Sequence, residues 1–170
     1  MNTAIFGGSF NPVHNGHIDI ARMALSSAPI DRVIVMPAFI APFKKADTMV
    51  DGERRLDMCR LAFEDIPNIS VSDYEINAGG VSYTVNTLRH FKRLYPESRL
   101  FLIVGEDIPP TIDRWHKSDE IRNLCEMIVF PRKLKISSTM IRKKIINHED
   151  ISALLPPNVA EYIIKNKIYF

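Results

Sequence analysis

Short runs dense in β-branched and aromatic residues alternate with stretches whose apolar residues recur at helical spacing, and this alternation restricts the fold more than any other feature of the chain. Residues 3–6, 32–36 and 99–104 read as strands, the last two as strands buried on both faces. Between them, residues 16–27 carry Ile20, Ala21, Ala24 and Leu25, residues 52–64 carry Leu56, Cys59 and Phe63, and residues 84–95 carry Val85, Leu88, Phe91 and Tyr95. Such a β-α-β series predicts an α/β fold of the Rossmann-like, doubly wound kind, with a mostly parallel sheet and helices on both faces. Ligands of such sheets bind beyond the carboxyl ends of the strands. A further strand is expected at 127–130. Ser137-Ser138-Thr139 then precedes a helix with Ile141, Ile145 and Ile146, and Pro156-Pro157 opens a last one with Val159, Tyr162 and Ile163. The expectation is one domain over 1–170, with a small helical part from about 138.

Composition narrows the function classes. With 170 residues, 46% apolar and 25% charged, the chain is an ordinary globular one rather than a disordered or disulfide-stapled one. Twenty-two basic against twenty acidic residues leave a net charge of +2, too little to argue for a nucleic-acid surface or an anionic membrane, so any anion site must be local. Cys59 and Cys125 are far apart and have no Cys or His neighbours at metal-ligand spacing, so no protein-held metal is expected. No apolar run approaches the ~20 residues of a membrane span and no signal peptide is recognisable, which gives the expectation of a cytoplasmic protein.

The chemistry concentrates in Phe6-Gly7-Gly8-Ser9-Phe10-Asn11-Pro12-Val13-His14-Asn15-Gly16-His17, where a strand ends in two glycines and a helix begins. A helix start presents amide N–H groups and the positive end of its dipole to a phosphate, and two imidazoles can donate to the same oxygens. This is the pattern of a polyphosphate cradle. It lacks both the GxGxxG of dinucleotide folds and the Lys-Ser/Thr ending of a P-loop.

This stretch together with Ile136-Ser137-Ser138-Thr139-Met140-Ile141-Arg142 resembles the HxGH and ISSTxIR signatures of the nucleotidylyltransferase superfamily. Met36-Pro37, Pro42-Phe43-Lys44, Ser82-Tyr83-Thr84, Gly105-Glu106-Asp107 and Arg114-Trp115 extend the resemblance, over nearly the whole chain, to the bacterial nicotinate-mononucleotide adenylyltransferase family. The resemblance implies transfer of AMP from ATP to nicotinate mononucleotide, with Mg2+ carried on the ATP phosphates. His14, His17 and Arg142 would then be catalytic. Gly7, Gly8, Ser9, Phe10, Gly16, Gly105, Asp107, Ser137, Ser138 and Thr139 would bind ATP with them, and Lys44, Tyr83, Thr84 and Trp115 would bind the acceptor. A helix start at Tyr83-Thr84 prefers a carboxylate to a neutral amide, so nicotinate is expected over nicotinamide.

For several of these residues a plainer role exists. Ser138 and Thr139 suit N-capping, Trp115 suits a core, and Lys44 suits solvent. Arg54, Arg55, Lys143 and Lys144 read as solvated helix faces, His90 and His148 as surface residues, and His116 as a weaker site candidate. Phe43 stands where the family often has His.

One departure concerns the chain after residue 130. Relatives have a long excursion there before a strand leading into ISSTxIR, whereas only Pro131 to Lys135 intervene here. Five residues reach at most ~18 Å, and a parallel crossover takes a dozen or more. The expectation is a segment missing from the chain near Arg132 to Lys135, the alternative being a rewired sheet edge. Other functional readings are pantetheine-phosphate adenylyltransferase, against which Ser82-Tyr83-Thr84 and Trp115 argue, and a non-catalytic nucleotide sensor, against which the intact His pair and Arg142 argue. A class I aminoacyl-tRNA synthetase is remote in a chain this short. The partners expected are small molecules, neither nucleic acid nor membrane, and a homo-oligomer stays open.

Overall fold

The computed structural model of the chain describes every residue except 28, 44–48, 132 and 133. Five parallel strands, β1 (Asn2–Gly8), β2 (Arg32–Pro37), β3 (Ile69–Val71), β4 (Arg99–Gly105) and β5 (Glu126–Phe130), lie side by side in the order β3-β2-β1-β4-β5. The helices are α1 (Asn15–Ser27), α2 (Gly52–Phe63), α3 (Tyr74–Ala78), α4 (Thr84–Leu94), α5 (Ser118–Leu124), α6 (Ser138–Ile146) and α7 (Pro157–Lys165), with a 3-10 helix at Pro109–Arg114.

The strand runs are apolar throughout because successive side chains feed two different cores. Ala4, Phe6, Val33, Val35, Phe101 and Ile103 join Ala21 and Ala24 of α1, Met58, Cys59 and Phe63 of α2, and Ile141, Ile145, Val159 and Ile163 of α6 and α7. Ile5, Ile34, Met36, Leu100, Leu102 and Val104 point to the opposite face, against Val85, Leu88 and Phe91 of α4 and Ile121 of α5. The doubly wound, Rossmann-like expectation is met, with α6 and α7 sharing the first core.

Strand succession runs outward from β1 in both directions, so the order reverses between β1 and β4. The paired register between those two stops at Ile5↔Leu102, although each strand continues for three more residues. Beyond that rung the sheet parts into a wedge at its carboxyl end, the crevice in which doubly wound sheets hold ligands.

Three local readings are corrected. Helix α1 begins at Asn15, one residue early, and the short β3 and α3 had no sequence expectation. Among the described residues no strand lies between β5 and the Ser137 cap of α6, where one leading into the second signature was expected. Arg132 and Lys133, within the segment expected to be incomplete, lie outside the described residues. Arg55, read as solvated, is 1% exposed; it follows the helical spacing of Cys59 and Phe63 and lies on the buried face of α2.

Candidate active site

The β1 exit loop is shaped by contacts among its own side chains. Phe10 adopts φ +46° and lays its ring over Gly8, where a Cβ would stand 3.0 Å from Phe10 Cζ. The ring also meets Phe6 edge-on at 5.6 Å and His17 at 4.8 Å between centroids. His14, 6% exposed, stacks on His17 with centroids 3.7 Å apart and planes 28° from parallel. Gly16 makes the stack achievable, because a Cβ there would approach His14 Cε1 and Nδ1 to 3.1 Å. The glycine between the two histidines is thus a packing requirement.

The stack also fixes a tautomer. The backbone N–H of His14 donates to His17 Nδ1 at 3.2 Å, so a neutral His17 carries its proton on Nε2. The helix start is only partly open: Asn15 N–H donates to the Leu154 carbonyl at 3.0 Å and His17 N–H to the His14 carbonyl at 2.9 Å. Asn15 Nδ2 also reaches the Ala153 carbonyl at 3.2 Å, which ties this turn to the C-terminal segment. Ser9 Oγ is buried without a hydrogen-bond partner among the described residues.

The second signature docks against the first. Arg142 Nη1 donates to the Asn11 carbonyl at 2.8 Å, Arg142 Nη2 to Thr139 Oγ1 at 3.3 Å, and Ser138 Oγ to the Pro12 carbonyl at 2.8 Å. The cap of α6 is Ser137, whose Oγ accepts from Met140 N–H at 3.1 Å; Ser138 and Thr139, the sequence candidates for capping, lie inside the helix and are used elsewhere. Asn11 Oδ1 accepts from Val50 N–H at 3.2 Å and from the Tyr169 hydroxyl at 2.8 Å, so the loop is held from below as well. Burial pushes the Tyr169 phenol far above its ordinary range, which keeps it a donor at any working pH.

The result is one cleft of about 740 Å3. Its walls include Gly7, Gly8, Ser9, Phe10, His14, Gly16 and His17 from the first stretch, and Ser137, Ser138, Thr139 and Arg142 from the second. Gly105, Asp107, Thr84 and Trp115 close the other side. Of the sequence candidates, Tyr83 does not line the cleft: its ring tilts against His116 at 4.6 Å, and its backbone precedes α4. Lys44 lies outside the described residues, and its neighbours Pro42 and Phe43 line the cleft.

Glu75 was not anticipated. It sits on the cleft wall beside Thr84, 9% exposed, and receives hydrogen bonds from the Thr87 and Ser82 hydroxyls. Burial raises its carboxyl above the usual carboxylate range, and the two hydroxyls pull it part of the way back. Ser82 Oγ in turn accepts from Phe39 N–H at 2.9 Å. A five-residue helix carries Glu75, and no motif surrounds it, so only the folded chain reveals it.

The cleft holds the Arg142 guanidinium and the two imidazoles at one end, and a helix start with an aromatic wall across from them. Such an arrangement can align a triphosphate and a second anionic nucleotide without a covalent intermediate. The model of the cytidylyltransferase-like family matches residues 5–144, which spans every one of these elements. The chain belongs to the cytidylyltransferase-like family.

Within the cytidylyltransferase-like family its relatives share a name. The chain is 34% identical over 199 aligned positions to a "Probable nicotinate-nucleotide adenylyltransferase" of Clostridium botulinum strain Hall, covering 99% of both chains. A protein of the same name in Methylacidiphilum infernorum is 35% identical over 185 positions, covering 98% of this chain and 91% of the relative. A crystal structure from Vibrio parahaemolyticus named for the same activity superposes with a TM-score of 0.83 at 26% identity, over 99% of this chain and 96% of that one. The Plasmodium falciparum nicotinic acid mononucleotide adenylyltransferase complexed with NaAD shares the fold, with a TM-score of 0.78 at 20% identity, covering 99% of this chain and 97% of that one.

Proposed function

We propose that the chain transfers the adenylyl group of ATP to the phosphate of nicotinate mononucleotide, giving nicotinic acid adenine dinucleotide and pyrophosphate. The observation that carries this reading is the single cleft shared by His14, His17 and Arg142 on one side and Thr84 and Trp115 on the other. The relatives named for this activity, aligned over 99% of the chain, support the choice of acceptor.

An oxygen of the mononucleotide's phosphate attacks the α-phosphorus of ATP. A new P–O bond forms as the bond from that phosphorus to the α,β-bridging oxygen breaks, and the electron pair leaves on pyrophosphate. The attacking phosphate is already anionic, so no enzyme nucleophile and no strong general base are required. Catalysis rests on alignment and on neutralising the charge that builds on the leaving oxygens. The His14 and His17 imidazoles, which line the cleft at the start of α1, would meet those oxygens, and the dipole of α1 adds a fixed positive end. Arg142, anchored to Asn11, supplies a charge that does not titrate and fixes the outer phosphates together with Ser137, Ser138 and Thr139. Gly7, Gly8, Ser9 and Phe10 form the floor beneath the α-phosphate, and Gly105 and Asp107 reach the nucleoside or its phosphates.

Mg2+ would enter as an ion carried on the ATP phosphates. Among the described residues no group of three His, Cys, Asp or Glu is arranged for a metal, and the cleft carboxylates Asp19, Glu75 and Asp107 come from separate elements. Bound there, it supplies charge neutralisation at the departing pyrophosphate. At the acceptor end, Trp115 stacks on the pyridine ring, and the N–H groups at the start of α4 around Tyr83 and Thr84 receive the ring carboxylate, which favours nicotinate over nicotinamide. Lys44 adds a charge on the acceptor phosphate, and the reaction takes place in the cytoplasm.

The test is pyrophosphate release from ATP and magnesium with nicotinate mononucleotide, nicotinamide mononucleotide or phosphopantetheine offered separately. Turnover with nicotinate mononucleotide well above the other two is expected. Reaction with phosphopantetheine alone overturns the acceptor assignment, and ATP binding without release from any acceptor overturns catalysis.

A further inference from the structure

Arg55 is a cation that the adenylyl-transfer reading leaves unused. Its side chain lies on α2 at 1% exposure, among the largest fully buried side chains of the protein. Nη1 donates to the Ser9 carbonyl at 2.8 Å and to the Ala38 carbonyl at 2.6 Å. Nη2 donates to the Phe39 carbonyl at 3.0 Å, and Nε to the Val50 carbonyl at 2.8 Å. Among the described residues no carboxylate forms an ion pair with it; burial disfavours its charge, and Cys59, Tyr169 and then Asp51 offset that only through longer-range electrostatics. A guanidinium buried on neutral acceptors alone is unusual, because taking the charge out of water is normally offset by an anion.

Its location gives that arrangement a use. The β1–β2 register ends at Gly8↔Pro37 and is prolonged by a single bond from Ala38 N–H to the Gly8 carbonyl. Past this point the two chains separate: one runs through Ser9 and Phe10 to His14, the other through Phe39 toward Phe43, and both line the cleft. Arg55 Nη1 bridges the first carbonyl of each branch beyond the split. Phe39, held through its carbonyl by Arg55, donates its N–H to Ser82 Oγ, two residues before Thr84. One guanidinium therefore spans the phosphate loop and the segment that reaches the acceptor side.

We propose that Arg55 is a positioning residue for adenylyl transfer, fixing the spacing of the Ser9 loop against the Ala38–Phe39 segment and lending the phosphate cradle a positive charge with which no described carboxylate forms an ion pair. The proposal rests on the adenylyl-transfer reading for its kinetic readout. Lysine keeps the charge but carries three donors on one nitrogen, and cannot hold four carbonyls spread over three segments. Glutamine keeps neither the charge nor the fork.

The experiment compares R55K and R55Q with the parent enzyme, each first checked for a cooperative thermal transition above the assay temperature. In R55K, kcat is expected to fall at least tenfold with the KM for ATP within threefold. In R55Q, kcat falls at least as far and the KM for ATP rises at least tenfold. A folded R55K whose kcat stays within twofold of the parent overturns the proposal, as does an equal KM for ATP in the two variants. If R55Q does not fold, the kcat-against-KM split in R55K decides alone. If the parent itself releases no pyrophosphate with nicotinate mononucleotide, the adenylyl-transfer reading fails separately. ATP affinity by calorimetry then judges Arg55: at least tenfold weaker binding in R55Q than in R55K supports the charge, and equal affinities overturn it.

Discussion

Replacing Gly16 with alanine separates catalysis from stability, because its cost falls almost entirely on one ring. A methyl group at that position would stand 3.1 Å from both Cε1 and Nδ1 of His14. The His14 ring must retreat by several tenths of an ångström, and it is 6% exposed with His17 stacked 3.7 Å away. His17 is itself backed by Phe10 at 4.8 Å, so the pair moves together or the stack breaks. Overpacking of this kind costs about 1–3 kcal/mol, while exchanging a helical glycine for alanine returns about 1 kcal/mol. The net loss is therefore roughly 0–2 kcal/mol, which in a chain of this size moves Tm down by no more than about 8 °C. The kinetic effect is larger, since misplacing a reacting group by ~1 Å costs up to ~100-fold in rate. Loss of one donor to a developing anion costs about 100- to 1000-fold. The expected result for G16A is a kcat lower by about 30- to 100-fold, with the KM for ATP within a few-fold, read by pyrophosphate release beside a thermal melt. A folded G16A protein with kcat within threefold of the parent would show that the ring stack has no part in turnover.

Removing the second imidazole, as in H17A, should lower kcat by about 100- to 1000-fold and change ATP binding far less; turnover within a few-fold of the parent eliminates His17 from the chemistry. For W115A, losing a stacking partner worth about 1–3 kcal/mol should raise the KM for nicotinate mononucleotide roughly 5- to 150-fold, with that for ATP unchanged, and equal rises for both substrates contradict the placement of the pyridine ring. Glu75 gives a pH signature. Its carboxyl is raised by burial in the folded protein, so its contribution to stability is full below the unfolded carboxylate range and is lost as pH rises through the elevated folded value. Glutamine at 75 can still accept from Thr87 and Ser82 without a charge to desolvate, so E75Q should melt at or above the parent near pH 8, the gap closing toward pH 5. A gap of constant size across that range refutes the assignment.

The parts of the molecule that could be foreseen are those whose cause is local. Arg32–Pro37 and Arg99–Gly105 announce themselves because each supplies apolar side chains to both cores, a pattern that only a doubly covered parallel strand requires. β3 escaped notice for the opposite reason, since three residues, one of them Ser70, are too few to show any period. The phosphate cradle was visible because its chemistry is contiguous from Gly7 to His17. Arg55 and Glu75 were not, because a charged residue in sequence looks solvated until the fold surrounds it. Arg55 did leave one trace: with Cys59 and Phe63 it continues the buried stripe of α2, and a charge on an apolar stripe marks a group with buried partners. The cap of α6 shows the limit of residue-type rules, since Ser137, Ser138 and Thr139 are all competent caps and only the chain path selects the first.

The short passage from β5 to α6 has a geometric explanation that also bears on function. All five strands run parallel, so the carboxyl end of β5 is already on the cleft side, where the N-terminus of α6 must lie for Ser138 and Arg142 to reach Pro12 and Asn11. The seven steps from Phe130 to Ser137 extend at most ~25 Å, too little to return below the sheet for a sixth parallel strand. The Clostridium botulinum relative aligns over 199 positions against the 170 residues here, so at least 29 of those positions have no residue in this chain. The second signature is held in place regardless, because its anchor is not the sheet edge. Ile141 and Ile145 are seated in the core shared with α1 and α2, and two side chains bond to backbone carbonyls of the first signature. Substituting Ser138 by alanine removes one of those two bonds, at a cost of about 1 kcal/mol, and leaves the Arg142 bond and the buried face of α6 to keep the helix docked. Activity in S138A should therefore fall with little loss of thermal stability, whereas a variant that empties the Ile141 site should lose both together.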